Sequence, residues 1–325
     1  MNAPFGPFFL ILLALGLGAL LRKSRHLPDG TPRILNAYVI AVALPALVLS
    51  QLPPFVRELA AHRERIDPSL IFLPITPWLS FMGAILFFGF LAKRGWIRRD
   101  QWGLLALSGG LGNTAFVGFP LIEALLGPQN LPPAILLDQL GSFLALSVGG
   151  TLWISYLQAT DPKGERRRAA GFPWAKFARE LLRFPPFIAL LAAFLIAPFG
   201  AFPSFAQVAV DRIAGTLIPV AMVSVGAQLS LDRAKLRREA RGVLVGLGYK
   251  MAFAPLGIGL FAYFVLRMRG DLFSVAVLET AMAPMITATV LGIEAGFAPE
   301  LGALMLGVGI PLSLATVPLI GFLIG

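Results

Sequence analysis

The chain has 325 residues, 57% of them hydrophobic and 14% charged, against roughly 25% charged residues in a soluble domain. Cysteine is absent, which excludes disulfides, Cys-ligated zinc and thiol catalysis; the two histidines, His26 and His62, stand among loop charges, so a His-rich metal site is not expected. A net charge of +10 would suggest nucleic acid in a soluble protein, but here Lys and Arg fill short loops between apolar runs and no nucleic-acid partner is expected.

A helix crossing a bilayer needs about 20 mostly apolar residues and must pair its backbone internally. Ten stretches qualify: 7–21, 34–52, 70–92, 103–127, 133–158, 183–199, 207–229, 242–266, 271–294 and 300–324. The first has no basic residue before it and Arg22, Lys23 and Arg25 after it, so it is read as a retained span rather than a cleaved signal. Pro74 and Pro77 predict an irregular first turn in the third. Basic residues crowd the odd-numbered loops: Arg22, Lys23, Arg25 and Arg33 in the first, Lys93, Arg94, Arg98 and Arg99 in the third, the run from Lys163 to Arg183 in the fifth, and Arg233 to Arg241 in the seventh. The opposite side holds Arg57, Arg63, Arg65, Arg212, Arg267 and Arg269. The positive-inside rule then puts both termini outside the cytoplasm, in a cell (bacterial inner) membrane. Trp96, Trp102 and Trp174 fall near span ends or in loops, as interfacial anchors would.

The longest polar stretch divides the chain into a five-span half (1–158), a basic cytoplasmic linker (159–182) and a second five-span half (183–325). An odd number of spans per half forces opposite orientations, an inverted repeat of the kind common in secondary transporters. Pro45 and Pro219, in the second and seventh spans, are each followed five residues on by a serine, Ser50 and Ser224.

Two spans carry helix-breaking residues at mid-membrane. The fourth contains Gly109, Gly110 and Gly112, then Asn113 and Thr114; the ninth contains Glu279, Thr280, Met282, Ala283, Pro284, Met285 and Thr287. Glycine loosens a helix, Asn or Thr can cap a restarted one, and proline removes a donor. If the two breaks meet, two helix N-termini converge on an anion site, with Gly112, Asn113, Thr114, Ala283, Pro284, Met285 and Thr287 as the expected substrate-binding residues. The preceding half-helices end in carbonyls, which suit a cation.

The run Leu111-Gly112-Asn113-Thr114-Ala115-Phe116-Val117-Gly118-Phe119-Pro120-Leu121 resembles the fourth-helix signature of the auxin efflux carrier family, which includes plant PIN-formed exporters and many bacterial carriers. Met282-Ala283-Pro284 through Leu291, Glu294-Ala295-Gly296 and Pro299-Glu300 resemble its ninth helix and following loop, and Arg33-Ile34-Leu35-Asn36 to Leu44-Pro45-Ala46 its second helix. Plant members have proline where this chain has Gly112, a departure that makes the first crossover more flexible. The resemblance implies an all-α fold of ten transmembrane helices in two inverted five-helix repeats, with crossed broken helices 4 and 9 (bile acid/sodium symporter-like, NhaA-like). It also implies a scaffold domain (helices 1, 2, 6, 7), a transport domain (helices 3–5, 8–10), elevator-type alternating access, a homodimer, and small organic anions as substrates, such as auxin-like or dicarboxylic acids. A more distant likeness is to bile acid/sodium symporters, in which a Glu before the ninth-helix crossover binds sodium; Glu279 stands in a similar place, while Ala283 and Pro284 replace amide side chains.

An ionisable residue within a span costs about 2.5–3.5 kcal/mol on insertion scales and calls for a reason. Asp138, Glu279 and Lys250 are such residues. Asp138 and Glu279, with Thr280 and Met282, are expected to take up the coupling cation, H+ or Na+, with Glu279 the metal ligand if sodium is used. Lys250 either pairs with these carboxylates or snorkels to the cytoplasmic surface. Glu123 is read as a solvated rim residue, as are Glu294 and Glu300. No other cofactor is expected. The leading function is a secondary active efflux carrier of organic anions. The alternative is a sodium-coupled importer of bile-acid-like amphipathic carboxylates. An intramembrane enzyme is disfavoured because no HExxH, GxSxG or paired catalytic aspartate motif is present, and a receptor because no soluble signalling domain is evident.

Overall fold

The structure is a computed structural model that describes residues 5–61, 67–160, 178–179, 181–200, 202–229 and 232–324. His62, Arg63 and Arg65, most of the basic linker and Trp174 lie outside the described residues. The described residues are helical, and their β-type pairing is a single isolated bridge. Seven helices are long and apolar enough to cross a membrane: α1 (Phe5–Lys23), α2 (Thr31–Ala61), α3 (Ser69–Lys93), α6 (Pro128–Ala159), α8 (Ser204–Gln228), α9 (Arg233–Val265) and α12 (Pro299–Ile324). Between them lie shorter helices: α4 (Arg99–Gly110), α5 (Thr114–Leu126), α7 (Pro185–Phe199), α10 (Gly270–Ala281) and α11 (Ile286–Glu294). Large apolar side chains such as Phe9, Leu86, Phe264 and Phe322 point outward and exposed. Such extensive apolar surface marks contact with lipid.

The expected irregularity near Pro74 and Pro77 is present: Leu73–Ile75 is a 3-10 turn between two α-helical segments of α3. Other long helices contain wider π turns, at Val39–Ala43 in α2, Leu137–Ser142 in α6 and Tyr249–Phe253 in α9. A π turn locally skips the regular hydrogen-bond ladder and frequently marks a functional position.

The chain forms two compact units, one of residues 1–70, 115–135 and 175–229 and the other of 71–114, 136–174 and 230–325. In the first, α1 packs on the second half of α8 with backbones in close approach. A Cβ on Gly18 would overlap the carbonyl of Val223, and one on Gly226 the carbonyl of Leu15. Small residues permit such approach where lipid supplies no hydrophobic drive between helices. Hydrogen bonds join α2 to α8: Ser50 Oγ donates to Asp211 Oδ1 (2.6 Å), Ser224 Oγ to Asn36 Oδ1 (2.6 Å), and the Tyr38 and Thr216 hydroxyls meet at 2.9 Å.

In the second unit, Phe88, Leu104, Leu105, Leu247, Leu301 and Met305 form a core joining α3, α4, α9 and α12. Trp102 is half-buried in the first turn of α4. Its Nε1–H donates to the Ile85 carbonyl (2.9 Å) and its ring lies edge-to-face with that of Trp153 at 4.9 Å, so the indole buries apolar area while its N–H keeps a partner. Glu300 is also more than a solvated rim charge, since it pairs with Arg238 at 3.3 Å. On the same basic side, Glu239 accepts from Gln101 Nε2 (2.7 Å) and Arg98 (3.5 Å).

Gly226→Val should lower thermal stability by about 1–3 kcal/mol through overpacking, whereas Gly16→Ala, which meets nothing within 4 Å, should leave the melting temperature unchanged. Thermal unfolding of both variants in detergent checks the contrast.

Candidate functional site

Both expected breaks are real interruptions. α4 stops at Gly110, Leu111 is extended (φ −107°, ψ 130°), and helical structure resumes at Thr114. α10 stops at Ala281, Met282 turns out of the helix (φ −58°, ψ 159°), Met285 is extended (φ −66°, ψ 122°), and α11 begins at Ile286. The two extended pieces pair as an antiparallel bridge between Gly112 and Pro284. The Asn113 N–H donates to Ala283 O (2.8 Å) and the Met285 N–H donates to Leu111 O (3.1 Å). Each break thus satisfies backbone groups that the other leaves open, which membrane depth demands.

The residue types follow from this pairing. Pro284 has no N–H, and it stands between the two bonds, where none is needed. A Cβ on Gly112 would lie 2.9 Å from the Glu279 carbonyl oxygen and 3.0 Å from Lys250 Nζ, so a larger residue there would force the Glu279 backbone and Lys250 to shift. Gly309 on α12 leaves room for the ring of Pro284. The freed carbonyl of Gly110 accepts from Ser80 Oγ (2.8 Å), whose own carbonyl accepts from the Tyr249 hydroxyl (2.7 Å). Ser80, Tyr249 and Gly309 carry no motif, and neighbours in sequence do not reveal them. Their roles arise from packing on the bridge.

The expected residues are placed as follows. Gly112, Asn113, Thr114, Ala283 and Pro284 are buried at the bridge, Met285 is half-buried, and Thr287 is exposed in the first turn of α11. Asp138 lies in the π turn of α6 and accepts from Thr114 Oγ1 and from Gln139 Nε2 (2.7 Å). Glu279, 1% exposed, has neither carboxylate oxygen hydrogen-bonded among the described residues. Thr280 turns its hydroxyl back to the Ala276 carbonyl (2.7 Å), and Met282 is fully buried. Lys250 corrects the alternative of snorkelling: it is 1% exposed, because the π turn Tyr249–Phe253 aims it at the bridge. Lys250 and Glu279 line one small cavity beside Gly112. Glu123 is half-buried beside a cavity of about 280 Å³ in the first unit that Ser50, Gln51 and Asp211 also line. Glu294 is exposed at the end of α11, as a solvated residue should be.

A small polar cavity of about 10 Å³ joins these groups, lined by Ser80, Gly110, Gly112, Thr114, Ser142, Lys250, Glu279 and Thr280 among others. That is about the room one water-sized body needs. Ser142 Oγ and Gln139 Oε1 are, like the Glu279 oxygens, buried polar atoms without a hydrogen-bond partner among the described residues.

Asp138→Ala would strand the Thr114 hydroxyl and the Gln139 amide in the interior, at about 1–3 kcal/mol for each buried polar group left unpaired. A melting-temperature loss in Asp138→Ala that Asp138→Asn reduces is expected, since the amide oxygen still accepts one of the two bonds and the amide N–H can donate to the Thr114 hydroxyl or to a flipped Gln139 carbonyl.

Residues 5–321 match the family model described as "Membrane transport protein". The chain is similar to an "Uncharacterized transporter" of Methanothermobacter thermautotrophicus, with 27% identity over 309 residues that span 95% of this chain and 94% of that protein. It is also similar to an uncharacterized transporter of Methanocaldococcus jannaschii, with 24% identity over 232 residues, 70% of this chain and 69% of that one. A family match over nearly the whole length, together with the interrupted helices it runs through, shows that this integral membrane protein belongs to the membrane transport protein family, the family of the auxin efflux carriers.

Proposed function

We propose that the protein is a secondary active carrier that exports small organic anions, such as auxin-like or dicarboxylic acids, with H+ or Na+ as the coupling ion. The observation that carries this reading is the Gly112–Pro284 bridge. Two helices interrupted at one point expose amide ends that favour an anion and carbonyl ends that favour a cation. Asn113, Thr114, Ala283, Pro284, Met285 and Thr287 are the proposed substrate-binding residues, beside Gly112.

The finer architecture is part of the proposal: ten spans in two inverted repeats, both termini outside the cell membrane, and an elevator in which one domain carries the substrate past the other. Paired features support the repeat. Ser50 of α2 bonds to Asp211 of α8, while Ser224 of α8 bonds to Asn36 of α2. The bridge pairs the break of one half with that of the other in the same reciprocal way. The division of the chain supports the two domains, since helices α1, α2, α7 and α8 fall in one unit and α3, α4 and α9–α12 in the other. Residues 115–135, assigned to the transport domain by the resemblance, cluster with the first unit. A homodimer is proposed on the resemblance alone.

Flux of a panel of carboxylates into proteoliposomes, with pH and sodium gradients imposed in turn, tests the reading. Asn113→Ala should abolish flux while the protein still folds and elutes as a single species; undiminished transport by that variant would remove Asn113 from the substrate site. Glu279→Gln should alter the ion dependence of flux while leaving the order of preferred carboxylates unchanged. Ion profiles identical to the parent's would end its coupling role.

A further inference from the structure

The second unit carries an apolar groove that the crossing does not use. It holds about 560 Å³ and runs between α9, α10 and α12. Pro255 and Val277 are buried at its base, and beside them a Cβ on Gly259 would lie 3.4 Å from Val277 Cγ2, an ordinary contact. Leu256, Phe264 and Leu323 are its exposed walls. The groove follows α9 from Met251 to Phe264, about 20 Å at the helical rise. The hydrocarbon core of a bilayer is about 30 Å thick, so a lipid tail spans roughly half of that. The groove thus has the reach of one tail.

Positive charge stands at one end of it. Beyond Phe264 the chain turns, and Arg267 adopts a left-handed φ of 56°. The Met268 N–H then donates to the Ala262 carbonyl (2.9 Å), and the Met268 side chain is buried. This turn brings Arg269 back onto the groove: its guanidinium lies 3.3 Å from the centre of the Tyr263 ring, and Tyr263 lines the groove. Arg269 Nη1 donates to the Tyr263 and Met268 carbonyls (3.0 and 2.7 Å). Its Nε and Nη2, and the guanidinium of Arg267, make no hydrogen bond or ion pair among the described residues, and both residues are exposed. Asp271 is the acid nearest to them in sequence. The loops on this side of the chain are otherwise poor in basic residues, so two arginines in so short a turn call for a reason.

We propose that the groove binds one anionic phospholipid, with an acyl tail between α9, α10 and α12 and its phosphate against Arg267 and Arg269. The tail by itself selects little, because every lipid offers the same hydrocarbon. Selection comes from the arginines. A guanidinium with Nε and Nη2 open presents a fork that a phosphate accepts in two bonds. A zwitterionic lipid sets its own cationic group against the same pair. The helices that line the groove all belong to the second unit, so the lipid becomes part of that unit's packing. The far end of the tail meets Met251 and Ala252, in the π turn that also carries Tyr249, which holds Ser80 beside the bridge. The proposal concerns this surface and stands whatever solute the carrier moves.

The full-length protein, delipidated in detergent, is titrated with dioleoylphosphatidylglycerol, dioleoylphosphatidylcholine or inorganic phosphate, and lipid retention in native mass spectra and melting temperature are followed. The parent should retain one phosphatidylglycerol per chain, melt higher with it, and prefer it to phosphatidylcholine by about tenfold or more. Phosphate alone should shift nothing. Gly259→Leu fills the groove and should lose the lipid. Gly257→Leu, on the same helix but outside the groove and with nothing within 4 Å, should keep it. Both variants exchange glycine for a better helix former, so helix propensity cancels in the comparison. Arg267→Gly with Arg269→Gln removes both charges, suits the left-handed turn and keeps a donor for the α9 carbonyls; it should bind the two lipids alike. Equal binding of both lipids by the parent, a shift from phosphate alone, or retention by Gly259→Leu equal to that by Gly257→Leu overturns the proposal. Should Gly259→Leu not fold, phosphatidylglycerol with a photoreactive diazirine in one tail decides on the unmutated protein. Labelling concentrated on Leu256, Leu260, Phe264 and Leu323 supports the site, and labelling spread over the lipid-facing helices refutes it.

Discussion

A backbone amide or carbonyl without a partner is scarcely tolerated in hydrocarbon, and the structure is organised around that constraint. Two helices stop in the buried interior, and each would be left with open groups if the other were absent. The bonds from Asn113 to Ala283 and from Met285 to Leu111 close both breaks at once. One further freed carbonyl, that of Gly110, is taken by Ser80, and Ser80 is held by Tyr249. The glycines and prolines at the crossing are consequences of the same requirement: Gly112 because another backbone and an amine press on it, and Pro284 because no N–H is wanted there.

Around the bridge, buried charge is gathered at one small cavity. Glu279 and Lys250 both line it with Gly110, Gly112 and Thr114, Lys250 reaching it from a π turn of α9. Asp138 is handled differently. Its two oxygens are matched by neutral donors, Thr114 and Gln139, so it makes smaller demands on any cation than Glu279 does. Two acids that look alike in sequence therefore occupy unlike surroundings.

Much of this was legible from residue order. Apolar runs marked the spans because lipid imposes length and internal pairing on a helix. The Gly-Gly-Leu-Gly-Asn-Thr run and the Met-Ala-Pro-Met run located both breaks to within a residue or two, since glycine and proline disturb a helix locally. Ser80, Ser142, Tyr249 and Gly309 stayed hidden because nothing near them in sequence announces a role. Each matters only through a group that the fold brings from a distant helix.

Sequence by itself determined that this chain is an integral membrane protein of a transporter family, with two interrupted helices and three ionisable residues committed to the bilayer. These depend on composition and on local backbone chemistry, which residue order carries directly. Tertiary structure decided that the interruptions bond to each other, that Lys250 points into the crossing rather than toward the cytoplasm, and that Glu279 is left unmatched while Asp138 is not. Those outcomes depend on side-chain direction, which π turns in α6 and α9 rotate away from the regular helical spacing, and no linear pattern records that rotation.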